Sequence, residues 1–199
     1  MTKLAGFSKR DLIAAHQYQY DGSHRNPNEC GLCAMTMLLH LGARAAGSKL
    51  DLSAVELGKA LDRIPFRHPR FPAWFPGPGG ATHPRAALKG LAQSIRRLRR
   101  EGQTFPWWPM LKTRQTPTDL EAQLHAGQPT LIYGVGHTGI PHVIVPIGRE
   151  KDGWLILDPG YPTERNPMQW ADEKLERWWV GYWLFYPKGT MLSLVREKP

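Results

Sequence analysis

The second half of the chain carries short apolar runs at residues 129–135, 141–148 and 154–158, the last two joined by Arg149-Glu150-Lys151-Asp152-Gly153. An Asp-Gly pair between two apolar runs is hairpin chemistry, because these residues tolerate the positive φ of a tight turn. A run at 180–186 alternates aromatic with other residues and reads as a last strand. The first half follows a different period. Cys30, Ala34, Met37, Leu38 and Leu41 recur at i, i+4, i+7, i+8 and i+11, one face of a 3.6-residue helix. Asn28 reads as the N-cap of that helix and Gly42 as the residue just past its end. Further helices are predicted at 52–63, opened by Asp51 or Ser53, and at 83–101, stopping before Gly102. Thr118-Asp119-Leu120-Glu121 has capping-box form and predicts a short helix through His125, closed by Gly127. Residues 1–29 are polar and mostly irregular, with 13–20 a short strand or a helix end and 21–28 a loop. Helices first and an antiparallel sheet second imply an α+β fold.

A chain of 199 residues suits one domain with a real core. Within it, residues 64–80 are too rich in proline for regular structure and too aromatic for a free linker. They read as an inserted loop packed on the surface. No stretch approaches the roughly 18 apolar residues of a membrane span, and the start has no apolar core of signal-peptide length. The expectation is a soluble, cytoplasmic protein. The 2 cysteines cannot staple a domain of this size. The net charge of +9 is densest at Arg96-Arg97-Leu98-Arg99-Arg100. That charge makes nucleic acid a conceivable partner, although a solvated helix face explains it more simply and no zinc-finger or RNP pattern accompanies it.

The chemistry points to Cys30. A free thiol has a pKa of about 8.5, so a nucleophilic cysteine needs a site that favours the thiolate. The N-terminus of a helix supplies unpaired N–H groups and a favourable dipole. Cys30 sits there, whereas Cys33 is one turn deeper. Gly31 lets a substrate backbone come close. A base is needed, and histidine titrates in the right range. His16, His24, His68, His83 and His125 lie in polar or loop contexts, and His137 in a glycine-rich turn. His40 ends the nucleophile helix, about 15 Å from Cys30 along its axis. His142 begins the run Pro141-His142-Val143-Ile144-Val145, and a strand start holds a side chain firmly. Asp158 closes the run across the hairpin. From there its carboxylate is expected to accept from Nδ1–H of the imidazole and fix its tautomer. Alone, Asp158 before Pro159-Gly160 would read as a turn residue.

Cys30-Gly31 followed by Ala34-Met35, then Pro141-His142-Val143-Ile144-Val145, then Leu157-Asp158-Pro159-Gly160, resembles the C39-like peptidases of the papain-like superfamily. The resemblance covers about residues 17–186. It extends to Ala126-Gly127-Gln128-Pro129 before the central strand and, loosely, to Met168-Gln169-Trp170 through Trp178-Trp179. It implies a helical half bearing the cysteine packed on an antiparallel sheet bearing histidine and aspartate. It also implies a peptide or protein substrate, no metal and no organic cofactor. Members carry an oxyanion-binding glutamine upstream of the cysteine. Gln19, in Gln19-Tyr20-Asp21, matches the usual form, with Gln17 its near rival. The chain departs from the family at Leu32 and Cys33, where members often have proline or alanine and then a small residue, and in residues 64–80 and the long basic helix. Trp74, Phe75, Trp107 and Trp108 either line a substrate cleft or simply pack.

Other readings are a Cys-x-x-Cys redox protein through Cys30 and Cys33, a zinc site built on these with His24 or His142, and a binding module with a vestigial site. The redox motif normally follows a strand, whereas residues 21–29 are a polar loop. The zinc reading lacks a second ligand pair.

Overall fold

Three pairings of successive strands and one late insertion build most of the sheet that organises the chain. The computed structural model describes residues 2–4, 7–20, 30–50, 52, 57, 83–136, 139–182 and 185–197. Among these, seven strands form one sheet: β1 (Thr2–Lys3), β2 (Trp107–Lys112), β3 (Thr130–Val135), β4 (Pro141–Glu150), β5 (Gly153–Leu157), β6 (Met168–Trp170) and β7 (Thr190–Arg196). The order is β2-β7-β3-β4-β5-β6, with β1 on β4, and every pairing is antiparallel. The helices are α1 (Lys9–Ala14), α2 (Cys30–Ala45), α3 (Pro84–Arg100), α4 (Pro117–His125) and α5 (Asp172–Trp178). The long helices precede the main run of strands, as an α+β fold requires.

The helix α2 is the centre of the packing. Every side chain from Cys30 to Leu39 is buried, and the helix lies against β3 and β4. A helix apolar on all sides belongs in a core. Gly42 is not its terminator. It lies inside α2, where a Cβ would come within 2.8 Å of both Leu194 and Phe105. Its bare Cα lets β7 and Phe105 approach, and the Trp107 indole donates to its carbonyl at 2.8 Å. The helix ends three residues later. Gly47 (φ 75) takes the left-handed conformation, and the Ser48 N–H returns to the Ala43 carbonyl at 2.9 Å.

Two other expectations change. The capping box of α4 is Thr116 with Asp119, whose carboxylate accepts from the Thr116 N–H at 2.8 Å. Pro117 explains the shift, because its missing N–H and fixed φ suit the first helical position and leave Thr118 inside the helix. Glu121 is then available for Arg149, at 2.9 Å. The last strand is β7, not residues 180–186. There the Tyr182 N–H donates to the Tyr186 carbonyl at 2.9 Å, so the segment folds back on itself. β2 carries Trp107 and Trp108 on the sheet edge, where Pro109 is tolerated. Residues 13–20 contain a helix end, that of α1, which opens with a Ser8–Asp11 capping box.

The arginine run on α3 is largely occupied within the molecule. Arg97 pairs with Glu101 at 2.7 Å and Arg99 pairs with Glu197. Arg99 also donates to the carbonyls of Phe105 at 2.9 Å and Trp107 at 3.0 Å. The guanidinium groups of Arg96 and Arg99 lie over the Trp108 ring at 5.2 and 5.6 Å. Trp107 and Trp108 thus join β2 to α2 and α3. No helix among the described residues is long and apolar enough to cross a membrane. Of the expected 52–63 helix, Leu52 and the helical, buried Leu57 are described. The Asn28 cap, the 64–80 loop, Trp74 and Phe75 lie outside the described residues.

Thr116→Ala should lower the unfolding free energy by about 1 kcal/mol in urea titration, the usual cost of an N-cap hydroxyl. The exposed Thr118→Ala should change it by less than about 0.5 kcal/mol.

Candidate active site

The β4–β5 hairpin sets the geometry of the site. Val145 pairs with Leu157, so continuing the register towards the open end brings Gly160 opposite His142 and leaves Asp158 on the diagonal. Diagonal neighbours across antiparallel strands are about 7–8 Å apart, within reach of a long side chain. The imidazole spans the gap with its tip: Nε2–H donates to Asp158 Oδ1 at 2.7 Å. This corrects the expected Nδ1 contact, because Nδ1, next to Cβ, is too near the His142 backbone to reach a diagonal partner. The same Oδ1 accepts from the Gly160 N–H at 2.8 Å. A Cβ at Gly160 would stand 3.1 Å from that same Oδ1 and in ordinary contact, at 3.6 Å, with the imidazole.

Cys30 is the first residue of α2 and is buried at its N-terminus, where no acidic side chain occupies the first turn. Its thiol lies within interaction range of the His142 imidazole. With Nε2 on Asp158, Nδ1 is the nitrogen left for the sulfur. The ring is therefore flanked on both sides, at 20% side-chain exposure against 3% for Asp158. Burial opposes charging of the imidazole most strongly. The hydrogen bonds to Asp158 and Cys30, and their charges, outweigh it and push the pKa up to about 10. Tyr133 and Tyr186 share this interior. Burial first, and then the charge of Cys30, raises both phenols.

Aromatic side chains wall the site. Trp178 meets His142 edge-on, with ring centroids 6.3 Å apart, and Trp170 at 5.6 Å. Trp178 fits only because residue 134, paired with His142 across β3 and β4, is glycine: a Cβ there would lie 2.4 Å from both the Trp178 ring and its carbonyl oxygen. Asp172 anchors the start of α5, accepting from Arg149 at 2.6 Å and from the Trp154 indole at 2.7 Å.

Gln19 is buried, and its backbone N–H donates to the Pro159 carbonyl at 2.9 Å, which brings its segment onto the turn after Asp158. Gln17 is half-buried and its amide donates to the neighbouring His16 carbonyl at 3.2 Å. Cys33 is fully buried, and the two cysteines form no disulfide. Of the other histidines, His40 bonds the Leu52 carbonyl at 2.7 Å and His83 caps α3. His125 ends α4. His24, His68 and His137 lie outside the described residues.

Sequence reasoning missed two neighbours of Asp158. The Asp158 N–H donates to Asn166 Oδ1 at 2.8 Å, and the Asp158 carbonyl accepts from His16 Nε2 at 3.1 Å. Asn166 lies eight residues on, beyond the Asp-Pro-Gly turn, with no periodic signal. His16 reads as polar surface because its partners are more than 140 residues away.

No family model and no curated protein matches the sequence. A solved structure from Bacillus anthracis, described as a "putative C39-like peptidase", matches at a TM-score of 0.64 and 15% identity, over 100% of this chain and 98% of that one. A match at that identity establishes the fold alone: an α+β arrangement, shared with that protein, with the long helices in the N-terminal half and an antiparallel sheet in the C-terminal half.

Two outcomes follow for stability. Because the His142 pKa rises on folding, its contribution is complete below the unfolded value near 6.5 and is lost as the pH climbs through about 10. Denaturant titrations should show the advantage of wild type over His142→Gln shrinking across that window. Gly134→Ala should destabilise by about 1–3 kcal/mol or more, since the ring and backbone of Trp178 must both move.

Proposed function

We propose that this protein is a cysteine hydrolase that cleaves an amide bond through Cys30, His142 and Asp158. One observation carries the reading: the imidazole of His142 is bonded by a buried carboxylate and lies within interaction range of the thiol at the N-terminus of a buried helix. That arrangement supports a thiolate–imidazolium pair, the resting state of an activated cysteine. The fold likeness to the Bacillus anthracis protein makes a peptide the substrate of choice.

In this mechanism Cys30 Sγ attacks the carbonyl carbon. The oxyanion that forms is held by the Cys30 backbone N–H and the Gln19 side-chain amide. Nδ1–H of His142 gives its proton to the leaving amine, which departs as the C–N bond breaks. The thioester is then attacked by a water whose proton passes to Nδ1, and the acid leaves as Sγ is expelled. Asp158 keeps the proton on Nε2 throughout and stabilises the imidazolium. Cys33, fully buried one turn deeper in α2, has no role in this mechanism.

Iodoacetamide labelling between pH 5 and 7 tests this. Cys30 in wild type should react at the acidic end of the range, and His142→Ala should abolish that reaction. Equal, ordinary thiol behaviour in both proteins would overturn the mechanism. With a peptidase substrate in hand, Gln19→Ala should lower kcat by about 10²–10³, whereas Cys33→Ser should leave it largely intact.

A further inference from the structure

The two unexpected neighbours of Asp158 lock its main chain on both sides. On the amino side, the Asp158 N–H is held by Asn166 Oδ1 at 2.8 Å. On the carboxyl side, the Asp158 carbonyl accepts from His16 Nε2 at 3.1 Å and, more loosely, from Asn166 Nδ2 at 3.4 Å. Asn166 Nδ2 also serves the carbonyls of Tyr161 and Pro162, each at 3.1 Å, so it organises the turn as a whole. His16 has a narrower task. A carbonyl only accepts, so Nε2 carries the proton. Burial holds the ring pKa below its usual value, which favours the neutral ring, and with the proton on Nε2 it is Nδ1 that accepts from the Thr163 hydroxyl at 2.9 Å. Both nitrogens of a buried imidazole are thus spent on the segment that follows Asp158.

His16 also stands three residues before Gln19, whose N–H reaches the Pro159 carbonyl at 2.9 Å. Two bonds therefore dock the segment after α1 onto the turn at residues 158–160. Replacing only the His16 side chain by an apolar one would leave the Asp158 carbonyl and the Thr163 hydroxyl short of a partner, so its bonds contribute to stability whatever else they do. Its direction, onto the carbonyl of the residue whose carboxylate meets His142, suits another purpose.

We propose that His16 is a positioning residue: its bond to the Asp158 carbonyl fixes the main chain that aims the Asp158 carboxylate at His142, and it ties that turn to the segment bearing Gln19. This inference rests on the hydrolase reading for its catalytic consequence, but not for its geometry. The charged groups facing the cluster are Glu164, which acts on His16, and Lys174, which acts on Asp158.

The test compares His16→Leu with His16→Gln, whose amide nitrogen overlays Nε2. Two readouts are taken on folded protein: the NMR titration of the His142 ring, and the rate of Cys30 alkylation at pH 5–7. In His16→Leu the His142 titration should move down, and alkylation should slow by up to about 10²-fold, the scale of an ångström-sized misplacement. His16→Gln should restore both. If His16→Leu does not fold, His16→Asn replaces it, because its shorter amide overlays Nδ1 and misses the Asp158 carbonyl. An unmoved His142 titration in the leucine or asparagine variant would overturn the proposal. An equal shift in the glutamine variant would overturn it too, since that marks packing alone. Asp158→Asn separates this from the larger reading. If its His142 titration falls while alkylation ignores both Asp158 and His142, the hydrolase mechanism fails and the His16 comparison still decides the positioning role.

Discussion

The helix that begins at Cys30 has almost no surface of its own. Its side chains are enclosed from the first residue to Leu39, with β3 and β4 against it, and Leu194 and Phe105 set close over Gly42. A helix so enclosed neither slides nor rotates without opening voids or clashes, because protein interiors are packed like crystals. That immobility fixes the sulfur at the helix start relative to the strand that carries His142. The remaining parts of the site are arranged around this fixed pair. Trp178 walls the imidazole, the carboxylate approaches its far nitrogen, and the segment of Gln19 closes over the turn.

The parts legible in the sequence were those governed by local periodicity. The apolar spacing from Cys30 to Leu41 marked α2, and the Asp-Gly link between two apolar runs marked the β4–β5 hairpin. Since that hairpin juxtaposes its open ends, the meeting of His142 with Asp158 followed from the same pattern. What the sequence hid depends on distant partners. Gly42 looked like a helix end because glycine commonly is one, but here it makes room for residues from other elements. His16 looked like surface because its burial comes from a turn more than 140 residues away. The choice of imidazole nitrogen turned on whether Asp158 lay opposite or diagonal to His142, which strand register alone decides.

Charge shows the same contrast between composition and context. A net charge of +9 with a dense arginine cluster left an anionic partner conceivable and made a solvated helix face the simpler reading. In the fold, Arg97 and Arg99 have carboxylate partners, and Arg96 and Arg99 cover an indole. Arg149 joins α4, β4 and α5 through Glu121 and Asp172. Exposed ion pairs of this kind contribute little individually. Their value here lies in fixing orientation, since α5 carries Trp178 to the imidazole.

The strand order has a consequence for how the chain matures. β7, the last of the described strands in sequence, lies between β2 and β3, so neither neighbour is fully paired until residues 190–196 arrive. Cys30 leaves the ribosome early, His142 and Asp158 much later, and the strand that closes the sheet behind them last. Non-local pairings of this sort form slowly, and synthesis runs from the N-terminus. Until residue 142 has been made, the thiol of Cys30 has no His142 imidazole beside it. The sulfur meets its imidazole only once β4 has packed against α2, so the site cannot assemble from the first half of the chain alone.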